Sequence, residues 1–331
     1  MQKIGIMSLG GTITMGQSGV DGALPDLSAE DICAALPQLD EIAEVHCCTI
    51  RKVGSPSLKL SDLFDVIDRV NEWRAAGINS FVLLQGTDTL EETAFGLDLM
   101  LGQSGVSLVV TAAMRDPKQL GADGFANLLA SARVALHPRT AEMGVVVVIN
   151  DEIHAARLVE KRHSFSLRAF QSPNLGPVGW IVESKARYVA APSRLDIDYQ
   201  GGRAKVSIPL VRCVFDMDDI LVAAVAATDV PAVVIEGVGG GNVSANISGA
   251  VEAMAQEKYV IICSRTGGGE VLASSYGETG SAGPLVRAGC INGTTLDGLK
   301  ARMLLLVLLA DGADEVRLRE IFHRVGQLYL Q

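Results

Sequence analysis

Phe81-Val82-Leu83-Leu84-Gln85-Gly86-Thr87-Asp88-Thr89-Leu90-Glu91-Glu92 is the stretch on which the fold turns. Four consecutive apolar residues suit a strand covered on both faces, and Gly86 then permits a tight turn. Thr89-Leu90-Glu91-Glu92 has the spacing of a helix-capping box, in which the Thr89 hydroxyl caps the first turn and Glu92 reaches back to it. Buried strand, glycine turn and helix start are the repeating unit of a parallel α/β sheet. Outward from this stretch the unit recurs. An apolar run at 3–9 enters Gly10-Gly11-Thr12-Ile13, and further strand-like runs lie at 108–110 and 145–149. Leu63, Val66, Ile67 and Val70 fall at helical spacing, with Gly77 where that helix should stop.

At 331 residues the length favours two domains, each with its own core. Between about 185 and 209 the chain turns to mixed charge, glycine and proline, the composition of a linker. The expected division is an N-terminal α/β domain at 1–187, a linker at 188–208 and a smaller α/β domain at 209–331. In the last, strands are expected at 232–235 and 259–262, with helices at 247–256 and 296–309.

Bulk properties exclude several function classes. A formal charge of −10, spread along the chain, repels phosphate backbones, so nucleic acid is not an expected partner. The most apolar run outside the strands, 303–310, is far shorter than the roughly 20 residues that span a bilayer, and no membrane association is expected. The N-terminal apolar stretch runs straight into a glycine turn and reads as a strand, not a secretory signal; the expected location is the cytoplasm. Six cysteines lack CxxC spacing and five histidines lack H-x-x-x-H grouping, so reduced thiols and no metal centre are expected.

The two threonine-bearing turns, at Thr12 and Thr87, occupy equivalent places after their strands. In a parallel sheet both open at the carboxyl edge, where crevices bind ligands. Exposed backbone N–H groups there can hold a carboxylate or a developing oxyanion. Taken singly, each turn reads as an ordinary strand-to-helix connection; their coincidence points to chemistry. A threonine hydroxyl needs a base within hydrogen-bond reach and a third group to orient that base. Asp88 adjoins Thr87, and Lys161, in Val159-Glu160-Lys161-Arg162-His163, follows the apolar run ending at Ile149. Alone, Lys161 reads as a solvated surface lysine. A dinucleotide-binding enzyme is the rival reading of an acidic α/β chain. Yet the G-x-G-x-x-G pattern fails at Gly237, where its sixth position is Asn242, and at Gly239, where it is Ser244.

Together these segments resemble the bacterial-type L-asparaginase and glutaminase family, over almost the whole chain. Gly10-Gly11-Thr12-Ile13 matches its first signature, and Gln85-Gly86-Thr87-Asp88-Thr89-Leu90-Glu91-Glu92-Thr93 its second, usually written HGTDTMEET. Ala113-Met114-Arg115, Ala122-Asp123-Gly124, Asn127-Leu128 and Asn150-Asp151, ahead of Arg157 and Lys161, keep the family order. Gly237-Val238-Gly239-Gly240-Gly241-Asn242 is similar to its GVGNGN turn, and Lys300-Ala301-Arg302 to its late KAR element.

The resemblance implies a larger flavodoxin-like N-terminal parallel-sheet domain and a smaller C-terminal α/β domain. It implies hydrolysis of a small amino-acid amide, L-asparagine, to L-aspartate and ammonia, without metal or cofactor. Thr12 attacks the amide to form an acyl-enzyme, while Thr87, Asp88 and Lys161 handle the proton; which threonine attacks first stays open. Gly11, Ser55, Gly86, Thr87 and Asp88 bind substrate, Ser55 at the α-carboxylate and Asp88 also at the α-ammonium. Asn242 completes the site of a neighbouring subunit, in a homotetramer built from tight dimers.

Three positions depart from the family pattern. Gln85 stands where the signature has histidine, removing a titratable group while keeping a donor and an acceptor. Pro56 follows Ser55 where many relatives have glutamine, and the segment 15–22 holds no tyrosine, the first being Tyr188. The glycines Gly16, Gly19 and Gly22 still permit that segment to close as a lid. A catalytically weak amino-acid-binding protein and a glutaminase-preferring enzyme therefore stand as alternatives. Glu270 and Glu278 both lie where relatives carry an acid that contacts the lid.

Overall fold

The fold is described from a computed structural model covering residues 1–16 and 26–328. The chain divides into two compact units, Met1–Arg194 and Leu195–Gln331.

The first unit runs β1 (Lys3–Gly10), α1 (Ala29–Ala34), β2 (Glu44–Val53), α2 (Leu60–Ala75), β3 (Ser80–Leu84), α3 (Leu90–Leu101), β4 (Ser107–Thr111), α4 (Gly124–Ala135), α5 (Thr140–Met143) and β5 (Val146–Ile149). Then come β6 (Glu152–Ala155), a small hairpin β7 (Glu160–Lys161) and β8 (Phe170–Gln171), β9 (Gly179–Val182) and β10 (Lys185–Tyr188). The large sheet has eight strands in the order β10-β9-β6-β5-β4-β3-β1-β2. From β2 to β5 all neighbours are parallel, in the 2-1-3-4-5 order of flavodoxin-like sheets. The expected parallel sheet is thus present, and three antiparallel strands, β6, β9 and β10, extend it beyond β5.

Two-residue alternation explains why these strands are apolar throughout. Ile4, Ile6, Val82, Leu84, Val109 and Val146 share a core with Ile32 of α1 and Leu128 of α4. Their neighbours Phe81, Leu83, Leu108 and Val110 point to the other face and are equally buried, on the side where α3 packs on β4 and β5. In α2 the residues spaced for a helix, Leu63, Val66, Ile67 and Val70, are all buried, and the helix ends two residues before Gly77.

The second unit contains β11 (Leu210–Arg212), α6 (Ile220–Ala226), β12 (Ala232–Gly237), α7 (Ala245–Met254), β13 (Tyr259–Ser264), α8 (Ala282–Arg287), β14 (Ile291–Asn292), α9 (Gly298–Ala310) and α10 (Glu315–Gln327). Its four strands form a parallel sheet in the order β11-β12-β13-β14. The stretch from 195 to 208 is fastened to this unit: Asp311 accepts the backbone N–H groups of Gln200 and Gly202, and Arg302 Nε donates to the Ile208 carbonyl at 2.7 Å.

Candidate active site

Strand order alone marks one place for a site. In a 2-1-3-4-5 sheet the chain leaves β1 toward one edge and returns to begin β3 on the other side, so the loops after β1 and β3 diverge and leave a crevice at their carboxyl ends. The first of those loops is Gly10-Gly11-Thr12, the second Gln85-Gly86-Thr87-Asp88.

The two loops touch through backbone. Gly11 has a φ of +90°, and a Cβ built on it would lie 2.1 Å from the nitrogen of Gly86 and 2.3 Å from its Cα. No side chain fits at Gly11, and a Cβ on Gly86 would lie 2.8 Å from Ser55 Oγ, so both positions are glycine and Thr12 and Thr87 each follow one residue later. Thr14 holds the first loop closed, its N–H and hydroxyl both donating to the Gly11 carbonyl, at 3.0 and 2.8 Å.

Ser55 locks the second loop from below. It follows β2 in a short turn opened by Gly54, where Pro56 fixes the backbone, and it is 2% exposed. Its Oγ accepts the Asp88 N–H at 3.0 Å, and its carbonyl accepts the Thr89 hydroxyl at 3.0 Å. Thr89 does sit at the N-terminus of α3, but its side chain makes no cap bond to that helix. This corrects the capping-box reading: the single hydroxyl proton is committed across the loop to Ser55, tying two site segments together.

Lys161 is not a solvated surface lysine. Its side chain is 14% exposed, and Nζ donates to Thr87 Oγ1 at 2.8 Å and to Asp88 Oδ1 at 2.6 Å. Thr87 is buried, whereas the Asp88 side chain is 59% exposed. One oxygen of Asp88 therefore faces the lysine while the carboxylate remains open to a cationic group from solvent. The lysine reaches its place from β7, whose backbone is anchored by a residue to which the sequence reading gave no role: Glu91, buried in the first turn of α3, accepts the Lys161 N–H at 2.7 Å.

The family-order segments after β4 brace the same edge. Asp123 accepts the backbone N–H groups of Met114 and Arg115, at 3.0 and 2.9 Å, and Asn127 Nδ2 donates to Asp123 Oδ2 at 3.0 Å. Asn127 Oδ1 accepts the Asn150 N–H at 3.0 Å. Gly124, opening α4, lies against Ile13 so closely that a Cβ would meet Ile13 Cγ1 at 2.9 Å. Gln85 is wholly buried; its Nε2 donates weakly to the Gly86 carbonyl at 3.3 Å, and its Oε1 has no hydrogen-bond partner among the described residues.

Other expected positions belong to the second unit or lie outside the described residues. Asn242 belongs to the second unit, where it closes the turn after β12 by pairing with Val238, and its Oδ1 accepts the Ala282 N–H at 3.2 Å. Lys300 is buried within that unit, 3.4 Å from Asp297. Glu270 and Glu278 are both exposed on the loop between β13 and α8. Residues 17–22 of the expected lid segment lie outside the described residues. Among the described residues no group of three or more His, Cys, Asp or Glu could hold a metal ion, and no helix is long and apolar enough to cross a membrane.

Fold and site together define a two-unit α/β protein with a hydroxyl, an amine and a carboxylate in contact at the switch point of a flavodoxin-like sheet. Residues 3–194 match the family description "Asparaginase, N-terminal", and residues 207–322 match "Glutaminase/Asparaginase C-terminal domain". The chain is 32% identical over 321 residues to an L-asparaginase of Bacillus licheniformis, covering 96% of this chain and 98% of the relative. It is 31% identical to a probable periplasmic L-asparaginase of Haemophilus influenzae, covering 97% and 93% respectively. The crystal structure of a probable cytoplasmic L-asparaginase from Campylobacter jejuni superposes with a TM-score of 0.85 at 25% identity, covering 98% of this chain and 99% of that one. The chain belongs to the asparaginase/glutaminase family.

Proposed function

We propose that this protein hydrolyses the side-chain amide of free L-asparagine to L-aspartate and ammonia. The observation that carries this reading is the contact of Lys161 Nζ with both Thr87 Oγ1 and Asp88 Oδ1, on a loop whose Gly86 backbone meets that of Gly11. Thr12 is the nucleophile. Its oxygen forms a bond to the amide carbon, the carbon–nitrogen bond breaks, and the proton lost by the hydroxyl leaves with ammonia. Water then attacks the ester carbon and gives a proton to Thr87, which relays its own to Lys161 while Asp88 holds the lysine in place; the ester carbon–oxygen bond breaks, aspartate leaves, and the relayed proton returns to the Thr12 oxygen. Backbone N–H groups of the Gly11 and Gly86 loops receive the developing oxyanion. Ser55, whose oxygen already accepts one N–H, still has its proton to donate to the substrate α-carboxylate, and the exposed oxygen of Asp88 receives the α-ammonium.

The site in this reading is completed by Asn242 from a neighbouring copy, in a homotetramer of tight dimers acting in the cytoplasm. The similarity to the Campylobacter protein supports that compartment, while the Haemophilus relative bears a periplasmic name. Glutamine is the second substrate to consider, because the C-terminal family description covers glutaminases as well. An ammonia-release assay across L-asparagine, L-glutamine and their D-forms tests the reading. Turnover of L-asparagine that vanishes in Thr12→Ala, with unchanged thermal unfolding, is expected; absence of ammonia from all four substrates, or full turnover by Thr12→Ala, would overturn it.

A further inference from the structure

Cys33 of α1 and Cys47 of β2 bring their sulfurs to 2.7 Å, a thiol–thiol hydrogen bond in which either sulfur can carry the shared proton. Both are free thiols, both are partly exposed, and both pack against the core under the sheet edge. The docking around them is fixed independently. Thr49 Oγ1, two residues beyond Cys47, accepts the Ala29 N–H at 2.8 Å and donates to Glu30 Oε2 at 3.1 Å, so α1 is held on β2 by polar bonds as well. β2 is the last strand of its sheet, which leaves this pair near the surface.

We propose that Cys33 and Cys47 form a modification site: a reversible intrachain disulfide made by exchange with a low-molecular-weight disulfide. The Cys47 thiolate attacks one sulfur of the small disulfide, whose sulfur–sulfur bond breaks and releases one thiolate. Cys33 then loses its proton and attacks the Cys47 sulfur, forming the protein disulfide and releasing the second thiolate. The two cysteines lose two electrons and two protons in all, and the small disulfide is reduced to two thiols. The sulfurs already lie 2.7 Å apart, so closing the bond asks only for a small further approach.

The geometry makes the pair selective. Cys48, the next residue, points to the opposite face of β2 by strand alternation, and Cys213, Cys263 and Cys290 are buried in the second unit. Burial pushes the thiols of Cys213 and Cys290 up to about 11 and about 12, which makes them poor nucleophiles. Cys33 is held far up first by its hydrogen bond with Cys47 and then by burial. The first of these disappears once Cys47 is capped in the mixed disulfide, so Cys33 acts as the resolving thiol only after Cys47 has reacted.

The test is incubation of the reduced protein with excess oxidised glutathione, followed by alkylation, digestion and mass spectrometry. The expected result is a cross-linked Cys33–Cys47 peptide, a loss of two of the six alkylatable thiols, and full recovery with dithiothreitol. The bridge is expected to raise Tm by roughly 5 °C, since it closes a short loop of the unfolded chain. Cys33→Ser is expected to stop at a stable glutathione adduct on Cys47, and Cys47→Ser to lose both adduct and bridge. Six alkylated thiols after saturating treatment, a bridge in any other pair, or mixed disulfides that never close would each overturn the proposal. None of these readouts depends on amidase activity.

Discussion

Lys161 reaches the Thr87 loop from β7, its own backbone N–H held by Glu91. In the chain it is one charge among Glu160, Arg162 and His163; in the fold its amine is the donor that joins Thr87 to Asp88. The apolar run before Gln85 and the glycines beside both threonines made the loops legible, because a Cβ at Gly11 would meet the Gly86 backbone and one at Gly86 would meet Ser55. Glu91 was not legible, since its partner is the backbone N–H of Lys161, and a carboxylate-to-backbone bond leaves no pairwise pattern in sequence. Glu91→Ala is expected to lower kcat by ~10- to 100-fold through misplacement of the lysine, with Glu91→Gln recovering most of it, because the amide oxygen still accepts. Steady-state kinetics of the two variants check this; equal, wild-type kcat values would remove Glu91 from the site. A second residue-scale effect concerns His154, which is wholly buried and lies 3.0 Å from Ser172 Oγ. Burial first, and Arg168 second, push its pKa from 6.5 down to about 4. The unfolded chain therefore takes up a proton in a window where the folded one does not, and stability present above pH 6.5 is lost as pH falls toward 4. The loss should approach about 3 kcal/mol, and urea unfolding of His154→Gln between pH 7 and pH 4 should lack it.

At the scale of elements, legibility followed burial. β3, β4 and β5 are apolar on both faces and were readable, as were α2, α7 and α9. β2 was not, since His46, Arg51 and Lys52 interrupt it and most of the strand is only half-buried at the sheet edge. β6, β9 and β10 are four residues each, too short to show a period, and their antiparallel pairing is set by contacts along the sheet. One buried node holds the helical face of this unit. Asp98 of α3 accepts the Val145 N–H at 2.9 Å and an Arg194 N–H at 2.8 Å, around Gly144, where a Cβ would lie 2.3 Å from Asp98 Oδ1. Burial pushes the Asp98 carboxyl up and the Arg194 guanidinium opposes it. Arg194→Met would remove the guanidinium bonded to that buried carboxylate and leave Arg157 as the remaining cation, and the expected cost is about 3 kcal/mol in denaturant unfolding. A change under 1 kcal/mol would mean that the aspartate is solvated after all.

For the whole molecule, the ordered set of motifs carried what no single motif could. Gly10-Gly11-Thr12-Ile13 alone is a common turn, yet with the second threonine loop and the late glycine turn it identified a family that both family descriptions then matched. The proposed assembly makes its own prediction: light scattering on the purified protein should give four times the 34.8 kDa of one chain, and a monomer at micromolar concentration would contradict it. The proposed hydrolysis depends on the amine behind Thr87 being the group that moves the proton. Ammonia release from L-asparagine by Lys161→Met, beside the parent protein at neutral pH, tests that most directly. A fall in kcat of roughly 10²- to 10⁴-fold with an unchanged unfolding curve is predicted; turnover within a factor of about two of the parent would contradict it.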